Sequence, residues 1–71
     1  MQARELGCAI DRFLDTVTTE SRRIFLRRYW FGDSIEQIAR DLGMSANAVT
    51  VRLSRTREKL RTFLIKEGYH E

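Results

Sequence analysis

The most informative part of the sequence lies between residues 34 and 59 and reads SIEQIARDLGMSANAVTVRLSRTREK. Apolar residues recur in it at the three- and four-residue intervals of amphipathic helices, on both sides of a short break. Ser34 followed by Gln37 has the form of a capping box, in which a hydroxyl and an amide satisfy two backbone donors. Gly43 supplies the left-handed conformation that ends a helix, and Ser45 can cap the next one. Two helices joined by so short a turn cross most readily at a steep angle, which predicts a helix-turn-helix over residues 34–59.

Two further helices are expected before this motif. A first helix is expected over about residues 3–16, because apolar residues recur there at helical intervals, namely Leu6, Ile10, Phe13 and Leu14, with Val17 just beyond. Thr18 is placed to cap a second helix over residues 18–30, and Gly32-Asp33 then breaks the chain. With helices three and four over residues 34–42 and 46–66, the sequence predicts an all-α fold of four helices, as one domain over residues 1–71.

The fourth helix is expected to have a buried side and an exposed side. Six residues that fall together on a helical wheel are expected to pack on helices two and three, and they are Val49, Leu53, Thr56, Leu60, Phe63 and Leu64. The opposite side begins with five residues that we interpret as facing DNA bases, namely Asn47, Thr50, Val51, Ser54 and Arg55. Short side chains near the start of such a helix allow close approach to base edges in a major groove.

Three of these base-facing residues have a specific chemistry, and each has an alternative. Val51 suits a thymine methyl group, although scattered exposed valines are common and mean nothing. Asn47 can form two hydrogen bonds with adenine, or it only supports the start of the helix. Arg55 is the best single candidate, because its planar guanidinium suits both guanine and phosphate.

The net charge of +3 is concentrated in the C-terminal part of the chain. Residues 1–43 hold seven Arg against seven Asp or Glu, whereas residues 44–71 hold six Lys or Arg against three Glu. A basic run with helical periodicity is typical of a surface for a polyanion, and a solvated helix face is the alternative. Candidate phosphate contacts lie on helices two and four and at the start of helix three, and they are Arg22, Arg23, Ser34, Arg52, Arg57 and Lys59. The arginines of helix two have ion pairing with Glu20, Asp33 or Glu36 as their alternative.

Several classes of function are excluded or disfavoured. The longest apolar run is three residues, whereas a membrane-spanning helix needs about 20. A single cysteine cannot form an internal disulfide and no Cys or His spacing predicts a metal site, so we expect a cytoplasmic protein without a cofactor. No catalytic constellation or glycine-rich phosphate loop is found, so neither an enzyme nor a small-molecule substrate is expected. Cys8 is expected on or near a buried face, and His70 in a solvated tail.

Most of the chain resembles region 4 of bacterial RNA polymerase sigma factors, most closely the extracytoplasmic-function group. The segments that carry this resemblance are Phe25–Trp30, Ser34–Ala39, Leu42–Ser45, Val49 and Arg52–Leu60. The resemblance implies a helix-turn-helix domain related to winged-helix folds but without a wing, which reads the −35 element of double-stranded promoter DNA. It also implies docking on the β flap of the polymerase core. Many relatives have Lys or Arg in place of Thr50 and Ser in place of Val51, so their promoter preference is not carried over.

A second candidate surface is apolar. Helices one and two offer more large side chains than a small core readily covers, and the candidates for contact with polymerase or with an anti-sigma protein are Phe13, Tyr29, Trp30 and Phe31. Burial in the core is the alternative for each of them. Helix one is a further candidate site for an anti-sigma protein. Region 2 of sigma factors has no counterpart in these residues, so we expect either the C-terminal domain of a longer sigma factor or a small sigma-like protein.

Two other functions remain open at this point. A response-regulator type of helix-turn-helix shares the Ile-Ala and Leu-Gly-x-Ser pattern, although the basic extension of the last helix favours a sigma factor. A protein-interaction module would use the apolar surface alone and leave the basic face solvated. DNA binding would depend steeply on salt concentration, whereas apolar binding would be nearly indifferent to it.

Overall fold

The computed structural model describes residues 3–69, and within that range the chain forms four helices and no strand. The helices are α1 (Ala3–Leu14), α2 (Thr19–Tyr29), α3 (Ile35–Leu42) and α4 (Ala46–Lys66). All four predicted helices form, with bounds within about two residues of the prediction, which is the usual uncertainty of helix ends. The prediction of an all-α helix-turn-helix fold without a wing is confirmed. His70 lies outside the described residues.

Three hydroxyl side chains begin the helices as predicted. Thr18 accepts a hydrogen bond from the backbone N–H of Ser21 at 3.2 Å, and Ser34 and Ser45 accept equivalent bonds at 3.1 and 3.0 Å. The reciprocal half of the capping box differs from the prediction, because the amide of Gln37 bonds with Arg40 and Asp41 further along α3. Gly43 ends α3 with a φ of 67°, the left-handed conformation that favours glycine.

A first apolar cluster fixes the crossing of α3 and α4. Its buried members come from three helices, and they are Ile24, Ile38, Ala39, Val49 and Leu53. Ile35, Leu42 and Met44 pack against them from α3 and from the turn. Because the cluster joins the last three helices, the helix-turn-helix rests on α2 as its support.

A second cluster joins α1 to α2 and to the C-terminal half of α4. Phe13, Leu14 and Phe25 are its buried members, and Leu60 and Phe63 pack against them from α4. The rings of Phe13 and Phe63 lie 5.6 Å apart between centroids, at an interplanar angle of 58°. Both clusters therefore use α4, whose 21 residues span about 30 Å.

Polar contacts also hold α1 to the end of α4. Arg12 Nη2 lies 2.6 Å from Glu67 Oε1, and the Tyr69 hydroxyl donates a hydrogen bond to the backbone oxygen of Glu5 at 3.1 Å. The prediction that Cys8 lies on or near a buried face is wrong, because Cys8 is exposed. Its position is about 100° around α1 from the buried Ala9, which turns the thiol away from the apolar side.

Candidate nucleic-acid interface

One side of α4 builds the core, and the other side faces solvent. Val49, Leu53 and Thr56 are buried, and the Thr56 hydroxyl donates to the backbone oxygen of Arg52 at 2.8 Å. The five residues predicted to face bases are all exposed, and they are Asn47, Thr50, Val51, Ser54 and Arg55. We call these five residues the reading stripe. All five lie on the first three turns of α4, and because they are exposed, this surface is open to a partner.

Most of the reading stripe is free to form hydrogen bonds outside the molecule. Within residues 3–69, the side chains of Asn47, Ser54 and Arg55 have no hydrogen bond or ion pair. Thr50 differs, because its hydroxyl donates to the backbone oxygen of Ala46 at 3.0 Å and keeps only acceptor capacity for a partner. Val51 is 38% exposed and adds an apolar contact point among polar neighbours.

The predicted phosphate contacts lie in different surroundings. Arg57 and Lys59 are exposed on α4, and Arg23 is exposed on α2, with no partner in the described part of the chain. Arg22 lies 3.6 Å from Asp15, but both side chains are more than half exposed, so this pair contributes little stability. Ser34 uses its hydroxyl as the cap of α3.

Arg52 is placed differently from the other predicted phosphate contacts. Its Nη1 forms an ion pair with Glu20 Oε1 at 2.8 Å and donates a hydrogen bond to Ser21 Oγ at 3.3 Å. Both partners belong to the first turn of α2, so Arg52 bridges α4 and α2 instead of extending into solvent. Sequence reasoning missed this contact, because Glu20 was considered only as a partner for the arginines of its own helix.

Arg27 links α2 to the start and end of α3. Its Nε lies 2.7 Å from Asp33 Oδ2, and its Nη2 lies 2.7 Å from Asp41 Oδ2. The hydrogen bond from Arg27 lowers the pKa of the Asp41 carboxyl, and those two carboxylates raise the pKa of the Arg27 guanidinium. Pairing within the molecule, the alternative to phosphate contact, is therefore confirmed for Arg27. Arg28 donates to the backbone oxygen of Asp33 at 3.1 Å, which further orders the turn before α3.

The predicted apolar surface is partly exposed and partly core. Tyr29, Trp30 and Phe31 are 48%, 79% and 70% exposed, at the end of α2 and in the turn that follows. Phe13 is only 2% exposed and packs at a tilted angle against Phe63, so burial in the core, its alternative, holds for it. The reason is that Phe13 lies on the inner side of α1, where α2 and α4 cover it.

A shallow recess of about 320 Å³ adjoins this exposed aromatic surface, and sequence reasoning did not find it. Leu26 and Phe31 supply its large apolar side chains, and Arg22 and Arg23 lie at the same recess. An apolar floor with cationic neighbours suits an apolar side chain carried by an acidic segment. All of its lining residues lie within residues 19–31, on α2 and in the turn that follows.

A comparison with family profiles gives one finding that agrees with this geometry. The profile described as Sigma-70, region 4 matches residues 9–60, from α1 to the second half of α4 and across the whole helix-turn-helix. A comparison with curated proteins gives no significant match. None of the helices in residues 3–69 combines the length and the hydrophobicity that a membrane-spanning segment requires. Because the profile covers most of the chain and all of the reading stripe, the chain belongs to the sigma-70 region 4 family, whose members bind DNA in transcription initiation together with RNA polymerase.

Proposed function

We propose that this domain reads the −35 promoter element by inserting the N-terminal half of α4 into the major groove. The observation that carries the proposal is the reading stripe, which is exposed and largely without intramolecular partners on a helix whose other side is core. A major groove is about 12 Å wide, which admits an α-helix with its side chains. The same helix is the recognition helix of a helix-turn-helix, so fold and chemistry support one function.

The residues of this surface have distinct proposed roles. Arg55 and Asn47 form hydrogen bonds with base edges, and Val51 packs against a thymine methyl group. Phosphate contacts flank them, and these are made by Arg57 and Lys59 on α4 and by Arg22 and Arg23 on α2. The backbone N–H groups at the start of α3, beside Ser34, offer a further phosphate site of the kind that helix N-termini provide.

We also propose that the exposed aromatic surface docks on the β flap of RNA polymerase in the bacterial cytoplasm. Trp30 and Phe31 expose large apolar areas next to the recess lined by Leu26. Aromatic side chains at a recess are the usual anchors of a protein interface, because they bury much area at low entropic cost. An anti-sigma protein that covers the same surface, or α1 beside it, would compete with polymerase.

DNA reading is tested by measuring affinity as a function of salt. The full chain is used to enrich a preferred duplex from a pool of random-sequence duplexes, and fluorescence anisotropy then compares the enriched duplex with a random one between 50 and 200 mM salt. We expect weak binding overall, because one recognition helix provides few contacts and polymerase adds the rest by avidity. We also expect a steep salt dependence and a clear preference for the enriched duplex. Binding to core polymerase without any salt-dependent DNA binding would identify a pure interaction module instead.

Docking on polymerase is tested with Trp30→Ala. The side chain is 79% exposed, so its removal should not affect folding but should weaken binding to purified core polymerase. Ile65→Ala is the matched control, since Ile65 is also an exposed apolar residue, at 52%, but lies at the far end of α4. Equal polymerase affinity of the two variants would contradict the proposed docking surface.

A further inference from the structure

Arg52 occupies a border between the reading stripe and the core. On a helical wheel it lies about 100° from Val51 and about 60° from Arg55. Its guanidinium contacts the Glu20 carboxylate at 2.8 Å and the Ser21 hydroxyl at 3.3 Å, and its side chain is 35% exposed. Ser21 is one of the two buried polar residues in the described part of the chain, so Arg52 also satisfies a hydroxyl that has little access to water.

The contact of Arg52 with the first turn of α2 is directional and lies beside the reading stripe, whereas the Arg12–Glu67 pair holds the far end of α4. The first cluster holds α4 through aliphatic side chains such as Ile38, Val49 and Leu53, and apolar burial is non-directional. A rotation of α4 by about 10° moves a side chain at the helix surface by about 1 Å, given a helix diameter of about 10–12 Å. Base reading tolerates about 0.5 Å, so the packing needs a directional contact to aim the stripe. A charge-assisted hydrogen bond between α4 and α2 supplies that contact.

We propose that Arg52 is a positioning residue for base reading and does not hold a DNA phosphate. Together with Glu20 and Ser21 it sets the rotation of α4 about its own axis, and hence the aim of Arg55 and Val51 at base edges. This inference rests on the proposed function, since it concerns how the same surface discriminates between sequences. We call the contact of Arg52 with Glu20 and Ser21 the α2–α4 clamp.

Neutralising Glu20 distinguishes the two possible roles of Arg52, because each role predicts a different change in DNA binding. If Arg52 held a phosphate, Glu20 would compete for it, and Glu20→Gln would tighten binding to every duplex. If Arg52 positions α4, Glu20→Gln loosens the clamp and lowers the preference for the enriched duplex. Removing any acidic residue also raises general DNA affinity, and Glu36→Gln measures that contribution. Glu36 is the matched control, because it lies in the first turn of α3, is exposed, and has no partner within residues 3–69.

The experiment compares the wild-type chain with Glu20→Gln, Arg52→Gln, the double variant and Glu36→Gln. Anisotropy titrations with the enriched and the random duplex give two quantities. The discrimination ratio is the affinity for the enriched duplex divided by that for the random duplex, and the salt slope is the change of log affinity with log salt concentration. Circular dichroism confirms that each variant is folded. We expect each clamp variant to lower the discrimination ratio by roughly threefold or more, and the double variant to lose no more than either single one, as for coupled neighbours. The salt slope on random duplex should equal that of the wild type for Arg52→Gln. A residue that only stabilises the fold would lower the melting temperature but leave this ratio unchanged.

Two results would show that Arg52 holds a phosphate and would thereby overturn its positioning role. One is an Arg52→Gln salt slope that is smaller by about 0.9 with equal loss of affinity on both duplexes, the behaviour of a lost phosphate contact. The other is a Glu20→Gln variant that binds both duplexes more tightly than Glu36→Gln does, with the ratio intact. Failure of the proposed function gives a different result from these two, because the wild type itself would then fail to enrich any duplex. In that case the positioning role of Arg52 would be refuted along with base reading. A wild-type preference that survives in Arg52→Gln refutes the clamp alone.

Discussion

Replacing Arg55 with alanine should weaken binding to the enriched duplex by about 1–3 kcal/mol, the cost of losing one bidentate base contact. This corresponds to about a 5- to 150-fold increase in Kd. Arg55 is exposed and has no intramolecular partner in residues 3–69, so its loss should change folding stability by no more than about 0.5 kcal/mol. The loss of affinity therefore reports on the contact with DNA and not on the stability of the free protein.

Two further variants separate base reading from simple charge. Arg55→Lys keeps the positive charge but loses the planar fork that binds guanine through two hydrogen bonds. We expect it to keep its affinity for random duplex and to lose most of its preference for the enriched one. Arg57→Ala removes an exposed cation two residues along the same helix, and it should weaken binding to both duplexes equally.

The assay is fluorescence anisotropy with both duplexes at a single low salt concentration, and thermal unfolding serves as the control for the fold. Arg55→Ala should lose preference and general affinity together, because it removes a base contact and a charge. If it weakens both duplexes by the same factor and Arg55→Lys behaves as the wild type, Arg55 holds a phosphate. The assignment of Arg55 as the principal base-reading residue would then be wrong.

Three further predictions concern the stability of the helix-turn-helix. Ile38→Ala removes a fully buried side chain from the first cluster and should cost about 2–5 kcal/mol in urea unfolding. Gly43→Ala places a side chain at a φ of 67°, where nothing clashes but the conformation itself costs about 1–2 kcal/mol, measured in the same way. Asp41→Asn should lower the urea midpoint at pH 7. Because Arg27 lowers the folded-state pKa of Asp41, that stability is present above the unfolded pKa of about 3.9 and is lost as the pH falls through the folded value, so the two midpoints should converge in acid.

The helices were predictable because their signals are local. Each capping hydroxyl bonds a backbone N–H three residues away, and the glycine that ends α3 acts at its own φ angle. The apolar periodicity of α4 likewise identified which side would be buried, and the reading stripe followed as its complement. None of these inferences needed knowledge of where another helix lies.

The clamp was not predictable for the opposite reason. Arg52 lies far along the chain from Glu20, and only the crossing of α2 and α4 brings their charges together. Phe13 and Trp30 are both large aromatic residues in apolar patterns, but one faces two neighbouring helices and the other follows the last turn of α2 with nothing over it. The exposure of such residues depends on the packing partner, which periodicity does not specify.

Helix α2 connects the two proposed surfaces. Its first turn holds Arg52 through Glu20 and Ser21, and its last turn leads into the exposed aromatic residues Trp30 and Phe31. An 11-residue helix is about 16 Å long, and Ile24 and Phe25 anchor it in both apolar clusters. The reading stripe and the aromatic surface are therefore held at a fixed separation and orientation. Such rigidity is what simultaneous engagement of DNA and polymerase requires, since avidity is lost when the geometry does not allow both contacts at once.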